Sequence, residues 1–457
     1  MRLFSGIRHG LLAAFLLIAV PVSAQNLPQS EAEWDTLGDK LLLLYRSRSY
    51  ASALEYLPTH GEALLAKSPV HYTATINLAR ALFEAERYSE ALPYYEKALQ
   101  LQCLFPILKE YAEATLHASK PEAFEALSNI LKQKIEHVGL VRTVEAYRSY
   151  LSMVKAGDIA YLSGNIETAK KEWTEAFSLY ENIAKNADKT FPNRPAAALQ
   201  QAYTYQQLYL SQYGRLRLDL LVSTFLEPKL ALCEPLPQTD APPLDFRVTA
   251  FVIKDTDLRY RSTDGKEHHE RSRMDDATGK EYQAAWKFAT DALHYYSGGK
   301  VKVQTLWHHL PDAVITKLDE RMWKGIVPQR LIDPAGITPR QDQAFTRAAK
   351  FSDAVIFVWP RGLAAEAYGG GSIKLPLSDG TELPARGVIR SISRSPHICF
   401  HELLHTIEAQ VKIQPVHGPV AIPMREFQRL RVEDEIDWYI HLVRTVPDWT
   451  KWRYRDP

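Results

Sequence analysis

Apolar residues recur at intervals of three and four positions from about Ser30 to Cys233, and proline and glycine are sparse there. This spacing matches the 3.6 residues per turn of an α-helix, in which such positions share one face. Helices with one apolar face are stable only when they bury that face against a neighbour. The sequence therefore predicts an all-α domain over the N-terminal half of the chain.

The helical pattern ends at a proline-rich segment, residues 234–245. Proline fixes the backbone angle φ and supplies no N–H group, so this composition indicates a semi-rigid linker. We therefore predict a helical domain over residues 25–233, the linker over 234–245, and a second domain over 246–457. A fragment starting near Leu244 is expected to fold alone, because it contains its own apolar segments.

The first 24 residues have the features of an export signal. Two arginines precede a short apolar run, Leu11 to Val20, and the small residues of Val22 to Ala24 form a cleavage site. The run is too short to cross a bilayer comfortably. The sequence predicts cleavage, a mature chain beginning near Gln25, no membrane span after cleavage, and a periplasmic or secreted location.

Charge and cysteine content narrow the function classes. The formal net charge is +1, without the basic domain that binding to nucleic acid requires. The cysteines are Cys103, Cys233 and Cys399. A disulfide between Cys103 and Cys233 stays an open alternative, since sequence does not show whether their Cα atoms are close. Cys399 is expected to be a buried free thiol.

Two segments of the helical half are similar to each other: one is Asn77 to Ala98, and the other begins at Gly157. Each has an early small residue, where two helices would cross closely, followed by a small–aromatic–small set. The early small residues are Ala79 and Gly157, and the sets are Ala91, Tyr95, Ala98 and Ala169, Trp173, Ala176. Both segments resemble the tetratricopeptide repeat, and a weaker third copy runs from Leu37 to Leu64.

This resemblance implies a curved solenoid of stacked helix pairs, because one repeat cannot bury its apolar face alone. Such a surface binds a peptide or another protein. A generic helical bundle is the alternative interpretation, since small and aromatic residues at these spacings are also ordinary core residues.

Strand and helix patterns alternate after the linker. The predicted strands are Phe246–Ile253, Lys300–Trp307, Asp353–Trp359 and Arg386–Ser393, and the predicted helices are Gly279–Tyr296, Pro339–Lys350, His397–Gln410 and about Glu426–Arg444. The continuous apolar run of Asp353–Trp359 indicates a central strand, and the alternation of Arg386–Ser393 indicates an edge strand. This order predicts an α/β domain with helices crossing between strands.

The strongest chemical signal is His401-Glu402-Leu403-Leu404-His405. Positions i and i+4 share one face of a helix, so both imidazoles are expected to reach one metal ion. Zinc suits this set, because it accepts imidazole nitrogens and a carboxylate and keeps a fourth position for water. Glu402 is the expected general base for a metal-bound water that attacks a carbonyl. Leu403 and Leu404 are expected to anchor the helix in the core.

The C-terminal half resembles the zincins, the superfamily of HExxH metallopeptidases, in this motif and in the order of its elements. The resemblance implies a twisted sheet, an edge strand beside the substrate, and the motif helix beneath the cleft. It implies His401 and His405 as zinc ligands and Glu402 as the base.

The third ligand has two candidates. The sequence after His405 lacks the glycine and histidine of the extended metzincin motif. His417, in a proline- and glycine-containing turn, is the preferred candidate. The alternative is Glu433, as in gluzincins, with Asp437 orienting a ligand histidine. Tyr439 is a candidate hydrogen-bond donor to an oxyanion, although a core tyrosine is the simpler interpretation.

Together these patterns predict a multidomain protein: an all-α tetratricopeptide-like solenoid followed by an α/β (α+β) zincin-like domain. The predicted function is an exported zinc-dependent peptidase whose repeat domain binds a protein or peptide. Two alternatives stay open. One is a protein-binding repeat scaffold with an inactive zincin-like domain, and the other is a zinc amidase that acts on cell-wall material.

Overall fold

The protein is described by a computed structural model over residues 27–46, 50–66, 71–190, 221, 224–236, 244–261, 267–318, 330–360, 375–380, 382–383, 388–389, 395–411 and 435–445. The predicted signal peptide, most of the predicted linker, and the two candidate third ligands lie outside these residues.

The N-terminal half is helical in its described residues, as its periodicity predicts. Its helices are α1 Glu31–Arg46, α2 Tyr50–Leu54, α3 Leu57–Ala66, α4 Tyr72–Glu84, α5 Tyr88–Leu101, α6 Phe105–His117, α7 Pro121–Leu131, α8 Ile135–Leu162, α9 Ile166–Thr190 and α10 Leu226–Ala231. Successive long helices contact each other, which gives an array of packed helix pairs.

Small residues set the spacing of these helix pairs. Ala79 of α4 and Ala91, Tyr95 and Ala98 of α5 are fully buried in one hydrophobic core. In the second pair, a Cβ atom at Gly157 of α8 would lie 2.4 Å from the indole of Trp173. Only glycine lets α8 approach α9 this closely. The predicted role of the early small residue is therefore confirmed for this pair.

The C-terminal half contains strands and helices in alternation. The strands are β1 Leu244–Ile253, β2 Asp255–Arg261, β3 Glu267–Arg273, β4 Val301–Leu310, β5 Val314–Leu318, β6 Arg330–Ile332, β7 Ala354–Val358, β8 Leu375–Pro376, β9 Glu382–Leu383 and β10 Val388–Ile389. The helices are α11 Asp276–Tyr296, α12 Pro339–Phe351, α13 Pro396–Val411 and α14 Glu435–Thr445. Every strand and helix predicted for this half has a counterpart among them.

The main sheet has the strand order β10-β7-β1-β4, and its neighbouring strands are parallel. The run of β7 is central and fully buried, and β10 lies at an edge, as predicted. Alternate residues of β1 enter different cores: Val248 packs in the core of α11, and Phe251 packs with Phe345 of α12. Helices therefore cover both faces of the sheet, which explains the continuous apolar runs of its inner strands β1 and β7.

A second sheet, of order β3-β2-β5-β6, is absent from the sequence-based prediction. Charged and polar residues dominate β2 and β3, and β5 and β6 have only five and three residues, so the apolar alternation that identifies a strand is not recognisable. The backbone pairing of these strands defines the sheet, and Val314 and Ile332 are its contribution to a hydrophobic core.

One hydrophobic core crosses the boundary between the two halves. It includes Trp173 of α9, Phe225 before α10, Phe288 of α11 and Phe400 of α13. The last helices of the array and the α/β domain therefore share their interior. Within the described part of the chain, no helix combines the length and apolar character needed to span a membrane.

Candidate functional site

The HExxH motif lies on α13, as predicted, and this helix is anchored by its apolar face. Phe400 and Leu403 are fully buried, and Leu404 is also buried. The helix packs against α11 and therefore against the shared core. In this packing His401 is half-buried, and its neighbour in the chain, Glu402, is only 7% exposed.

A residue of α14 holds the His401 ring. Nδ1 of His401 is hydrogen-bonded to the hydroxyl of Tyr439. The two ring centroids are 5.3 Å apart, and the ring of Phe400 lies 6.3 Å from that of Tyr439. Tyr439 is thus a core tyrosine, the simpler of the two interpretations, and its hydroxyl contacts His401. Sequence reasoning missed this partnership, because no local spacing connects residues 38 positions apart.

His397 lies one helical turn before His401 on α13. Its Nδ1 is 2.6 Å from the hydroxyl oxygen of Ser395, and burial lowers the pKa of His397 to about 4. The imidazole is therefore neutral at pH 7 and keeps a nitrogen lone pair. The sequence identifies His397 only as the start of the predicted helix.

The cysteines do not form a nucleophile or a disulfide. Cys399 on α13 is fully buried, and burial, together with the charge of Glu402, raises the pKa of its thiol well above the usual value. It stays protonated and unreactive. Cys103 and Cys233 are both free thiols, so the alternative of a disulfide between them is not realised.

The described residues contain only part of the predicted metal site. No three His, Cys, Asp or Glu side chains among them meet closely enough to hold a metal ion. His405 belongs to α13, but its side chain is not among those that the structure describes. His417 and Glu433 lie outside the described residues altogether. Asp437 lies on α14, two residues before Tyr439.

Comparison with known proteins supports one repeat in the N-terminal half. A family model described as tetratricopeptide repeat matches residues 73–103. These residues cover α4 and α5, the helix pair that contains the first predicted unit, so the repeat prediction is confirmed there. A comparison with curated proteins finds no match for this chain.

Proposed function

We propose that this chain is an exported zinc-dependent peptidase, with a zincin-like catalytic domain in its C-terminal half and a repeat domain that binds protein or peptide. The observation that carries the enzymatic part is the contact between His401 and Tyr439. It places a partner on one nitrogen of a histidine whose other nitrogen the motif assigns to a metal.

The contact supports a choice between the two nitrogens of His401 as the proposed zinc ligand. If Nδ1–H donates to the oxygen of Tyr439, Nε2 carries the lone pair. Metal-ligating histidines commonly donate their second N–H to such an oxygen acceptor, which fixes the tautomer and the ring orientation. The donor chemistry of this pair therefore fits a zinc ligand.

Glu402 is the proposed general base. It is buried beside His401 on the same helix, where a carboxylate is shielded from bulk water. From this position it would accept a proton from water and deliver it to the leaving amine. It is not assigned as a ligand, because adjacent helical positions point in different directions.

The remaining ligands are His405 and, by our preference, His417, with Glu433 as the alternative. When bound, zinc supplies Lewis-acid chemistry that lowers the pKa of water and polarises a carbonyl. Glu433 stays the alternative third ligand, because that choice requires a second helix beside the motif helix, and Tyr439 of α14 contacts His401.

A second candidate function has its own observation. The family-model match at residues 73–103 favours protein binding by the repeats, whatever the chemistry of the second domain. In that case the chain is a scaffold with an inactive zincin-like domain. An amidase acting on cell-wall material is the further alternative for an active domain.

Zinc content and hydrolysis separate these possibilities. We expect about one zinc per molecule after reconstitution at neutral pH. We also expect the protein to hydrolyse an unspecific peptide. Glu402→Gln should abolish this hydrolysis while the zinc stays bound. Elemental analysis and a fluorogenic peptide assay measure both. Zinc binding with turnover of cell-wall fragments only would favour the amidase, and absence of zinc would contradict the enzyme.

A further inference from the structure

A cavity of about 600 Å³ lies between the helical array and the α/β domain. Residues of α6 and α8 form one wall, residues of α11 form the opposite wall, and Pro396 at the start of α13 also lines it. The volume is within the range of about 300–1,000 Å³ that is usual for ligand sites. The cavity thus joins the repeat array to the first residue of the motif helix.

Most of the cavity surface is apolar. Leu151, Val154, Ala284 and Phe288 contribute to its interior. At its rim, Ile159 is 61% exposed and Leu162 is 42% exposed. Two exposed branched aliphatic side chains within one helical turn of α8 extend the apolar surface outward. This arrangement suits apolar side chains of a partner that enter from solvent.

The charges around the cavity favour an acidic partner. Lys155 on α8 and Lys280 on α11 are exposed on opposite walls. Two of the three lining carboxylates already have cationic partners: Glu113 lies 3.6 Å from Lys109, and Asp158 is paired with Lys229. Among the lining residues that the structure describes, Glu281 is the one further carboxylate, so the two exposed lysines outnumber it there.

A lysine–aspartate ion pair lines the cavity. Lys229 is 2% exposed, and its ammonium donates to the two carboxylate oxygens of Asp158 at 2.7 and 2.8 Å. Trp173 donates its indole N–H to the same carboxylate at 3.1 Å. A partner entering this cavity meets a preformed surface, which lowers the entropic cost of binding.

We propose that this cavity binds an acidic, leucine-rich segment of the peptide substrate, with leucine side chains in the apolar interior and carboxylates on Lys155 and Lys280. Its role in substrate recruitment rests on the proposed peptidase function. A segment held there lies beside Pro396, so the rest of the same polypeptide is retained near the motif helix. The local concentration of the bound substrate near the motif helix therefore increases. Substrate selection then depends on the cavity rather than on the proposed catalytic cleft.

The direct test is binding by the full chain carrying Glu402→Gln, which prevents cleavage of the probe. The probe is a fluorescein-labelled hexapeptide of alternating aspartate and leucine, followed by fluorescence anisotropy. We expect it to bind at least tenfold more tightly than hexapeptides of alternating lysine and leucine or alternating aspartate and serine. Replacing Lys155 and Lys280 by glutamate should remove the preference for the acidic peptide.

Ile159→Asp is the decisive variant, because an exposed side chain is replaced without opening the core. We expect about tenfold weaker binding, which corresponds to about 1.4 kcal/mol, with an unchanged thermal unfolding midpoint. Ile130→Asp is the matched control: Ile130 is 51% exposed on α7 and does not line the cavity. The proposed peptide site would be wrong if the proteins with Ile159 and with Ile159→Asp bound the acidic peptide equally well. Binding of oleate without binding of the peptide would also contradict it.

Hydrolysis then tests the recruiting role separately. A fluorogenic substrate is compared with and without the aspartate–leucine segment at one end. For zinc-loaded protein with Glu402 intact, Ile159→Asp should raise KM about tenfold for the extended substrate only. If no substrate is cleaved, the peptidase proposal fails, while the anisotropy measurement still decides whether the cavity binds the peptide.

Discussion

Nδ1 of His401 is hydrogen-bonded to the hydroxyl of Tyr439, which connects the motif helix to a helix 38 positions further along the chain. The tyrosine ring is almost fully buried, so packing rather than solvent sets its position. A rigid partner limits the rotation of the His401 ring. The contact therefore couples the packing of α14 to the orientation of a proposed zinc ligand.

Tyr439→Phe removes this hydroxyl with little change in shape. We expect about 10–100-fold weaker zinc binding, the usual effect of losing an outer-shell partner. Zinc affinity measured by competition with a chelator tests this. Tyr150→Phe is the control, because its buried hydroxyl is also hydrogen-bonded, to Thr224 at 2.7 Å in the helical array. Both variants should lose about 1–3 kcal/mol of unfolding free energy, but only Tyr439→Phe should lose zinc affinity.

Helix crossing in the array predicts opposite effects for two glycines of α8. Gly157→Ala places a Cβ atom against the indole of Trp173, whose N–H is fixed by Asp158 and the carbonyl of Val154. We expect a loss of about 1–3 kcal/mol from overpacking. Gly139→Ala has open space around the added atom and should gain about 0.5–1 kcal/mol. Urea unfolding measures both, and equal effects would contradict the close crossing.

Periodicity predicted the secondary structure well where burial is regular. The helices of the array and the strands β1, β4 and β7 have apolar patterns because each packs on a continuous core. The sheet of β2, β3, β5 and β6 has no such pattern, and its pairing depends on residues far apart in sequence. The sequence also did not predict the core that the two halves share. A proline-rich segment indicates a change of composition, but it does not show whether the segments on its two sides have separate hydrophobic cores.

The candidate site shows the same division. The four-residue spacing of His401 and His405, and the buried leucines between them, follow from helix geometry. The partnership of His401 with Tyr439 arises from the packing of two helices, which one sequence does not encode locally. The proposed peptide cavity likewise depends on how α8 and α11 face each other.

The buried ion pair beneath that cavity predicts a strong asymmetry between single and double substitutions. Burial lowers the pKa of Lys229 and raises the pKa of Asp158, so each charge depends on the other. Lys229→Met should cost about 1–3 kcal/mol, because it leaves the Asp158 carboxylate, whose side chain is 26% exposed, without its cation. Adding Asp158→Asn should restore most of the loss. Lys170→Met, which removes an exposed partner of Glu234, should change the unfolding midpoint little.

The continuous core predicts how the chain can be shortened. A fragment starting at Leu244 lacks Trp173 and Phe225. The ring centroid of Trp173 lies 5.9 Å from that of Phe288, and the ring centroid of Phe225 lies 5.7 Å from that of Phe400. We therefore expect this fragment to be much less stable than one starting at Ile135, which retains α8, α9 and α10. Circular dichroism during heating compares them. Equal stability would support the sequence-based expectation that the C-terminal half folds alone.

The identity of the third zinc ligand predicts a difference between His417→Ala and Glu433→Ala. We expect His417→Ala to weaken zinc binding by more than the 10–100-fold that an outer-shell loss costs. Pro415 disfavours helical geometry just before it, and Gly418-Pro419 favours a turn, so a short return to His405 spends little loop entropy. A larger loss with Glu433→Ala would instead identify a ligand supplied together with α14, whose Tyr439 already contacts His401. The roles proposed for His401, His405 and Glu402 are the same in both outcomes.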